Sequence, residues 1–135
     1  MRSAVCVLLP LGSSGLYLSV SRRNNPKSIG TPGGKVDPGE TNLDGIMRET
    51  FEEVGILLDK VNLEPIYSAA CSGQETFWVT TYLAKWPEGV PLEFSAEEGL
   101  SVRWASEREL TDPEICPFAR YNAGAFAAMK SYLKD

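Results

Sequence analysis

The sequence contains no histidine, and this absence limits the chemistry open to the protein. Histidine is the side chain that most often transfers protons near neutral pH. Acid or base catalysis must therefore use carboxylates, Lys, Tyr, Cys or metal-bound water. Every catalytic triad built on histidine is excluded.

Cysteine is also scarce, and long apolar runs are missing. Cys6, Cys71 and Cys116 are odd in number and widely spaced, which favours neither a disulfide framework nor a zinc cluster. The apolar run 4–9 is too short to span a membrane and lacks the features of a signal peptide. We therefore expect a soluble protein of the reducing cytoplasm with no membrane association.

The sequence has fewer basic than acidic residues, with 13 Lys and Arg against 18 Asp and Glu and a net charge of -5. This balance disfavours long nucleic acids and anionic membranes, because both need clustered Lys and Arg. It leaves small molecules as the expected partners. The length of 135 residues with 43% hydrophobic residues predicts one domain over 1–135.

The order of patterns predicts an α/β sandwich with a mixed sheet. Apolar runs and period-two alternation indicate strands at 4–9, 16–20, 65–71, 76–84 and 100–104, with the first two in a hairpin. The polar segment 22–39, rich in Pro and Gly, is predicted as a long loop. Ser106 and Glu109 resemble a capping box, and a closing helix is expected from Phe118 to Leu133.

The clearest helix begins after Thr41 and ends at Gly55. Its helical spacing predicts one buried stripe made of Leu43, Ile46, Met47, Thr50, Phe51 and Val54.

Three carboxylates lie nearly opposite that stripe. Glu49, Glu52 and Glu53 occupy an arc of about 100° on a helix. Like charges at this spacing repel, and Arg48 can pair with one of them but cannot neutralise the cluster. Oxygen-only ligands favour Mg²⁺ or Mn²⁺. The alternative is an ordinary solvated acidic face.

The segment that precedes the helix supports a metal site over an ordinary solvated face. Gly33 and Gly34 allow the backbone to approach a ligand, and neighbouring prolines stiffen the segment. Gly45 lies within the carboxylate face, where a mid-helix glycine costs about 1 kcal/mol relative to alanine. We expect the Pro-Gly-Gly segment to pack against Gly45.

The segment from Gly34 to Ile56 resembles the Nudix box, GX5EX7REUXEEXGU, where U is a bulky aliphatic residue. All seven fixed positions match: Gly34, Glu40, Arg48, Glu49, Glu52, Glu53 and Gly55. Thr50 departs from the pattern at the first U position. The resemblance implies a Nudix-type α/β/α sandwich and is compatible with a homodimer.

The resemblance also implies site residues. Glu52 and Glu53 would be the principal metal ligands, Glu49 a further ligand or the base, and the Gly34 carbonyl an additional ligand. Arg48 and Glu40 would support them, with Arg48 orienting Glu52 or Glu49. Many family members add one acid from a later loop, where Glu98 is preferred here over Glu97.

Basic and aromatic residues are candidates for substrate binding, although each could also be an ordinary surface or core residue. Arg22, Arg23 and Lys35 could meet phosphates, as could Lys27. Phe118 and Tyr121 could stack on a base.

The activity that the resemblance implies is Mg²⁺-dependent hydrolysis of a nucleoside diphosphate derivative. A nucleoside triphosphate, yielding monophosphate and pyrophosphate, is favoured, since residues 71–74 lack the markers of ADP-ribose and dinucleoside polyphosphate hydrolases. Nucleotide sugars and dinucleoside polyphosphates remain alternatives. Two further alternatives are a Nudix-fold module that senses a nucleotide without cleaving it, and an unrelated acidic cation-binding domain.

Overall fold

The computed structural model describes residues 1–73, 75–86 and 90–134. Gln74, the last of the substrate-marker positions, therefore lies outside the described residues. The strands and α-helices found there are β1 (Arg2–Leu8), β2 (Leu16–Arg22), β3 (Asn25–Gly30), β4 (Gly33–Lys35), α1 (Asn42–Val54), β5 (Leu63–Cys71), β6 (Phe77–Ala84), β7 (Val102–Ser106), α2 (Glu107–Leu110) and α3 (Ala119–Lys134). A short 3-10 helix, Lys60–Asn62, precedes β5.

The described strands form two sheets. The four-stranded sheet has the order β4-β1-β6-β5, with β1 and β6 parallel and the other neighbours antiparallel. The three-stranded sheet has the order β3-β2-β7 and is antiparallel. The predicted mixed sheet is therefore confirmed.

Apolar side chains fill both faces of these sheets. One core cluster joins Val5 and Val7 of β1 to Ile46 and Val54 of α1. A second cluster joins Leu8 of β1 to residues of α3, including Phe126 and Met129. Sheets enclosed between α1 and α3 make the α/β/α sandwich that the sequence predicts.

Helix α1 has the predicted ends. The Thr41 hydroxyl accepts a hydrogen bond from the Asp44 N–H at 3.1 Å, and Gly55 ends the helix with a φ of 72°. Ile46, Thr50 and Val54 are buried as expected. The prediction was wrong for Phe51, which is 56% exposed, because the apolar face of α1 is narrower than the sequence stripe.

The predicted long loop 22–39 is wrong, because it contains β3 and β4. Strand β4 is short, yet it pairs with β1 through Ala4 and Lys35, Val5 and Gly34, and Cys6 and Gly33. The Pro and Gly content of the segment hides this pairing, which depends on a partner distant in sequence.

The predicted first hairpin is correct only beyond the end of β1. The N–H of Leu18 donates to the Leu9 carbonyl at 3.0 Å, and the N–H of Leu11 donates to the Leu16 carbonyl at 2.9 Å. Strand β1 itself pairs with β4 and β6. The chain therefore passes from one sheet to the other at this hairpin.

The end of the chain follows the prediction. Ser106 and Glu109 form a reciprocal capping box at α2, and the closing helix is α3. None of the helices in the described ranges is both long and apolar enough to cross a membrane.

Candidate active site

Strand β4 begins with two consecutive glycines that have no room for side chains. A Cβ atom at Gly33 would lie 2.1 Å from the carbonyl oxygen of Val5 on β1. A Cβ atom at Gly34 would lie 2.5 Å from the carboxyl carbon of Glu49 on α1. Glycine is therefore required at Gly33, where the neighbour is the backbone of β1. A side chain at Gly34 would instead displace the Glu49 carboxylate from its place against the backbone.

Glu53 is held against the same segment. The N–H of Gly33 donates to Oε1 of Glu53 at 2.8 Å. The pKa of Glu53 is raised to about 8, with burial as the largest cause. The Gly33 hydrogen bond acts in the opposite direction, and the charges of Glu49, Glu97 and Glu52 contribute to the rise. Among the described residues, Lys and Arg form ion pairs with other carboxylates and none with Glu53, so a cation beside it would favour the charged form.

Burial likewise raises the pKa of Glu49, and the hydrogen bond from Arg48 acts in the opposite direction. The Glu49 side chain is 18% exposed, whereas that of Glu52 is 51% exposed. The acidic face of α1 thus runs from partly buried carboxylates at the Gly-Gly segment to an open one at Glu52.

Arg48 forms a network that we call the Arg48 clamp, made of Arg48, Glu40 and the Lys35 carbonyl. Its Nε and Nη2 donate to the two carboxylate oxygens of Glu40 at 2.8 and 3.0 Å. Nη2 also donates to the carbonyl of Lys35 at 3.0 Å. The clamp therefore ties the segment after the glycines to the middle of α1.

Arg48 also reaches the acidic face, as the sequence predicts. Its Nη1 donates to Oε1 of Glu49 at 3.0 Å and to Oε1 of Glu52 at 3.3 Å. Glu40 nevertheless takes the paired hydrogen bonds, and they lower its pKa to about 2. The pKa of Arg48 is raised in turn, with Glu40 as the largest cause.

Gly45 is buried, but its neighbours differ from those expected. A Cβ atom there would lie 3.2 Å from Cγ2 of Val36 and 3.3 Å from Oε1 of Glu40. The expectation that Pro-Gly-Gly packs there is wrong, because the chain following β4 fills this space. Gly45 therefore gives room to the Arg48 clamp.

The carboxylates of Glu49, Glu52 and Glu53 do not yet converge on one metal-binding position. Across residues 1–73, 75–86 and 90–134, no three His, Cys, Asp or Glu side chains converge closely enough to hold an ion. Gly33 draws Glu53 to one side and Arg48 draws Glu49 to another. Like charges favour this separation, and a cation would have to offset it.

The loop 95–99 brings a further acid to the site. The N–H of Glu97 donates to the carbonyl of Glu53 at 3.0 Å, and that of Ser95 donates to the Val54 carbonyl at 2.9 Å. The charge of Glu97 is among those that raise the pKa of Glu53, while that of Glu98 is not. The geometry favours Glu97 over the expected Glu98, whose role as a ligand stays a prediction.

The basic candidates are exposed and take different roles. Arg23 donates to Oε2 of Glu97 at 2.9 Å, so the loop engages part of its guanidinium. Lys35 directly follows Gly34, and its Nζ lies 5.6 Å from the centroid of the Phe77 ring. Arg22 ends β2 and is exposed. Phosphate binding by Arg22, Arg23, Lys27 and Lys35 stays a prediction.

The two aromatic candidates differ in accessibility. Phe118 is 49% exposed just before α3, and base stacking there stays a prediction. Tyr121 is 8% exposed, its hydroxyl lies 2.7 Å from Oγ1 of Thr81, and it donates to the Val79 carbonyl at 3.1 Å. The structure corrects the expectation for Tyr121, because its ring packs α3 on the sheet.

Sequence reasoning missed the polar chain that holds Tyr121. Sγ of Cys6 lies 3.0 Å from Oγ1 of Thr81, which in turn bonds Tyr121. Cys6 and Thr81 are paired across β1 and β6, so only the strand register brings them together. No spacing along the sequence could reveal this contact.

The fold and the site define an α/β/α domain whose acidic helix packs on a Gly-Gly segment. The NUDIX domain family model matches residues 1–123. The chain therefore belongs to the Nudix family, whose enzymes act on phosphorus-containing anhydrides and generally use divalent metal cations.

Individual relatives agree with that assignment. Nudix hydrolase 3 of Caenorhabditis elegans is 35% identical over 85 residues, which is 58% of this chain and 35% of that protein. This chain thus corresponds to about a third of that relative's length.

Solved structures show the same fold. A MutT protein from Methanosarcina mazei has a TM-score of 0.75 at 20% identity, covering 97% of this chain and 94% of its own. A Caenorhabditis elegans Ap4A hydrolase has a TM-score of 0.74 at 20% identity, covering 99% and 98%.

Proposed function

We propose that the protein is a Mg²⁺-dependent pyrophosphohydrolase that converts a nucleoside triphosphate into the monophosphate and pyrophosphate. The observation that carries this proposal is the packing of Glu49 and Glu53 on Gly33 and Gly34 without enough positive charge. Partly buried carboxylates in this state are suited to a divalent cation and an anionic phosphate chain.

The residues present fit such a cation. Their donors are carboxylate and carbonyl oxygens, which Mg²⁺ and Mn²⁺ prefer. Glu52 and Glu53 would be the principal ligands, with Glu49, the Gly34 carbonyl and an acid from the loop 95–99 completing the set. When bound, the cation lowers the pKa of a water molecule and shields phosphate charge.

The carboxylates would also handle the proton. Hydrolysis adds one water across the P–O–P linkage: the water oxygen bonds to phosphorus, the bridging P–O bond breaks, and one proton leaves. The chain has no histidine, and the groups beside the Gly-Gly segment are carboxylates, so a carboxylate is the proposed acceptor. Glu49 is the candidate, since its Oε1 is fixed by Arg48 while its other oxygen can take the proton.

The Arg48 clamp would keep this face in place. Its paired bonds to Glu40 and its bond to the Lys35 carbonyl connect α1 to the residue after Gly34. Such supporting contacts fix ligand geometry, and their loss typically costs about 10- to 100-fold in activity or metal affinity.

A panel of small nucleotides tests the proposal. It includes ribo- and deoxynucleoside triphosphates, nucleotide sugars and Ap4A, the last because a structural neighbour is an Ap4A hydrolase. Chromatography should show monophosphate and pyrophosphate from a triphosphate in Mg²⁺, with none in excess EDTA.

Three results would redirect or contradict the proposal. Cleavage confined to Ap4A or nucleotide sugars would keep the chemistry and change the substrate. Nucleotide binding without any product would indicate a sensing module. Undiminished hydrolysis in excess EDTA would contradict the role given to the carboxylates.

A further inference from the structure

The loop 95–99 meets two other parts of the chain at once. On one side, the N–H groups of Ser95 and Glu97 donate to the carbonyls of Val54 and Glu53 at 2.9 and 3.0 Å. These carbonyls belong to the last turn of α1, where helix carbonyls lack partners within the helix. The loop therefore continues the hydrogen bonding of the helix that carries the acidic face.

On the other side, the turn between β2 and β3 binds the loop. The N–H of Asn24 donates to the carbonyl of Gly99 at 2.8 Å. Arg23 donates through Nη1 to the carbonyl of Glu98 and through Nη2 to Oε2 of Glu97, the second at 2.9 Å. One guanidinium thus holds both the backbone and the acidic side chain of the loop.

Gly99 makes this arrangement sterically feasible. A Cβ atom there would lie 3.1 Å from Nη1 and 3.2 Å from Cγ of Arg23. The φ of Gly99 is 86°, a conformation that other residues rarely adopt. The Arg23 side chain lies along the glycine, in a place that a larger residue would restrict.

We propose that Arg23 is a positioning residue that holds Glu97 beside Glu53 for the metal site, and that it is not a phosphate ligand. This inference rests on the proposed function. Arg23 engages Oε2 of Glu97, which leaves Oε1 for a cation. The arrangement matches the general use of outer contacts to orient metal-binding carboxylates.

The direction in which Arg23→Ala changes the affinity for Mn²⁺ separates a positioning role from a simple effect of charge. Arg23 is a positive charge near the site, so its removal should strengthen cation binding if charge alone mattered. Loss of a positioning residue should instead weaken it. We expect Arg23→Ala to weaken Mn²⁺ binding about tenfold, measured from the free-ion electron paramagnetic resonance signal.

A double-mutant cycle tests whether Arg23 acts through Glu97. Glu97→Gln alone should also weaken Mn²⁺ binding, and adding Arg23→Ala to it should cause little further loss. Arg108→Ala, at an exposed arginine of α2, is the control and should bind as wild type does. Arg23→Lys should resemble Arg23→Ala, since an ammonium group lacks the planar fork that holds two acceptors.

Hydrogen exchange supplies a readout that does not involve metal. The amides of Ser95 and Glu97 should exchange faster in Arg23→Ala, while the amides inside β1 and β6 stay at wild-type rates. Faster exchange throughout the protein would indicate general destabilisation and would contradict a local positioning role.

Wild-type or tighter Mn²⁺ binding in Arg23→Ala would overturn the inference. It would also be overturned if Arg23→Ala weakened Mn²⁺ binding equally in the wild-type and Glu97→Gln backgrounds. A wild-type protein that binds no Mn²⁺ would overturn it too. A wild-type protein that binds Mn²⁺ but cleaves no nucleotide would contradict the proposed function alone.

Discussion

The Arg48 clamp and the acidic face of α1 use the same kinds of residue with opposite electrostatic outcomes. In the clamp, Arg48 lowers the pKa of Glu40 to about 2. On the acidic face, burial raises the pKa of Glu53 to about 8. The charges of the Arg48 clamp therefore neutralise each other within the fold, whereas the neighbouring acidic face of α1 has more negative than positive charge.

The largest expected effect comes from removing a carboxylate of the acidic face. Glu53→Gln should lower turnover roughly 1000-fold, equal to about 4 kcal/mol, because a metal ligand and its charge are lost. Glu52→Gln should also lose most turnover. Both are compared with Glu64→Gln, an exposed glutamate of β5, by steady-state kinetics. Retained turnover in Glu52→Gln or Glu53→Gln would remove that residue from the site.

The same face should destabilise the protein without metal. The folded pKa of Glu53, about 8, exceeds the ordinary value of 4.5, so the folded state holds its proton longer and stability falls as pH rises between these values. In EDTA at pH 8, the free energy of unfolding of Glu53→Gln should exceed that of wild type by up to roughly 3 kcal/mol, after allowing for partial exposure. Its melting temperature should then also be higher, and neither gain should appear below pH 4.5. A gain that does not depend on pH would contradict this origin.

Glu52→Gln gives a second comparison in EDTA, because it removes a charge and weakens the bond from Arg48, since a neutral amide oxygen replaces a carboxylate oxygen as the acceptor. We expect its melting temperature to equal or exceed that of wild type, with most of the stabilisation by Mg²⁺ lost. A marked drop in melting temperature would make the Arg48 bond the larger effect.

The Arg48 clamp should behave in the opposite way. The ionised form of Glu40 is favoured in the fold, so its stabilisation is present above pH 4.5 and is lost as pH falls toward 2. Glu40→Gln should therefore melt below wild type at neutral pH, and the difference should close near pH 2. Turnover should fall about 10- to 100-fold. If the melting temperature of Glu40→Gln at neutral pH equals that of wild type, the clamp does not stabilise the fold.

The smallest effect concerns the space beneath the clamp. Gly45→Leu should lower turnover about tenfold although it improves helix propensity, because its side chain would displace Val36 and Glu40. Gly45→Ala, whose Cβ meets Val36 at 3.2 Å, should remain within about threefold of wild type. Wild-type kinetics in Gly45→Leu would show that the clamp tolerates displacement.

Local signals in the sequence predict α1 and its acidic face well. Helical periodicity, the Thr41 cap and the Gly55 end depend only on neighbours along the chain, and the structure confirms them apart from the exposed Phe51. The two glycines also indicate a close approach of the backbone at this segment, although the sequence does not identify Val5 and Glu49 as the neighbours.

Contacts between distant segments are the part that the sequence does not predict. Strand β4 depends on β1, and the bond between Arg23 and Glu97 joins residues 74 positions apart. Tyr121 lies in the predicted closing helix, but its contact with Thr81 of β6 depends on how α3 packs on the sheet. Periodicity indicates which face of an element is apolar and does not identify what covers that face.

The central claim is that the acidic face of α1 binds a divalent cation because Arg48, which contacts Glu49 and Glu52, compensates the charge of its three carboxylates only in part. Equilibrium dialysis against Mn²⁺ at neutral pH tests this most directly in wild type, Glu40→Gln and the double variant Glu52→Gln with Glu53→Gln. We predict binding by wild type, weaker binding by Glu40→Gln, and none by the double variant. Binding by the double variant equal to that of wild type would contradict the account.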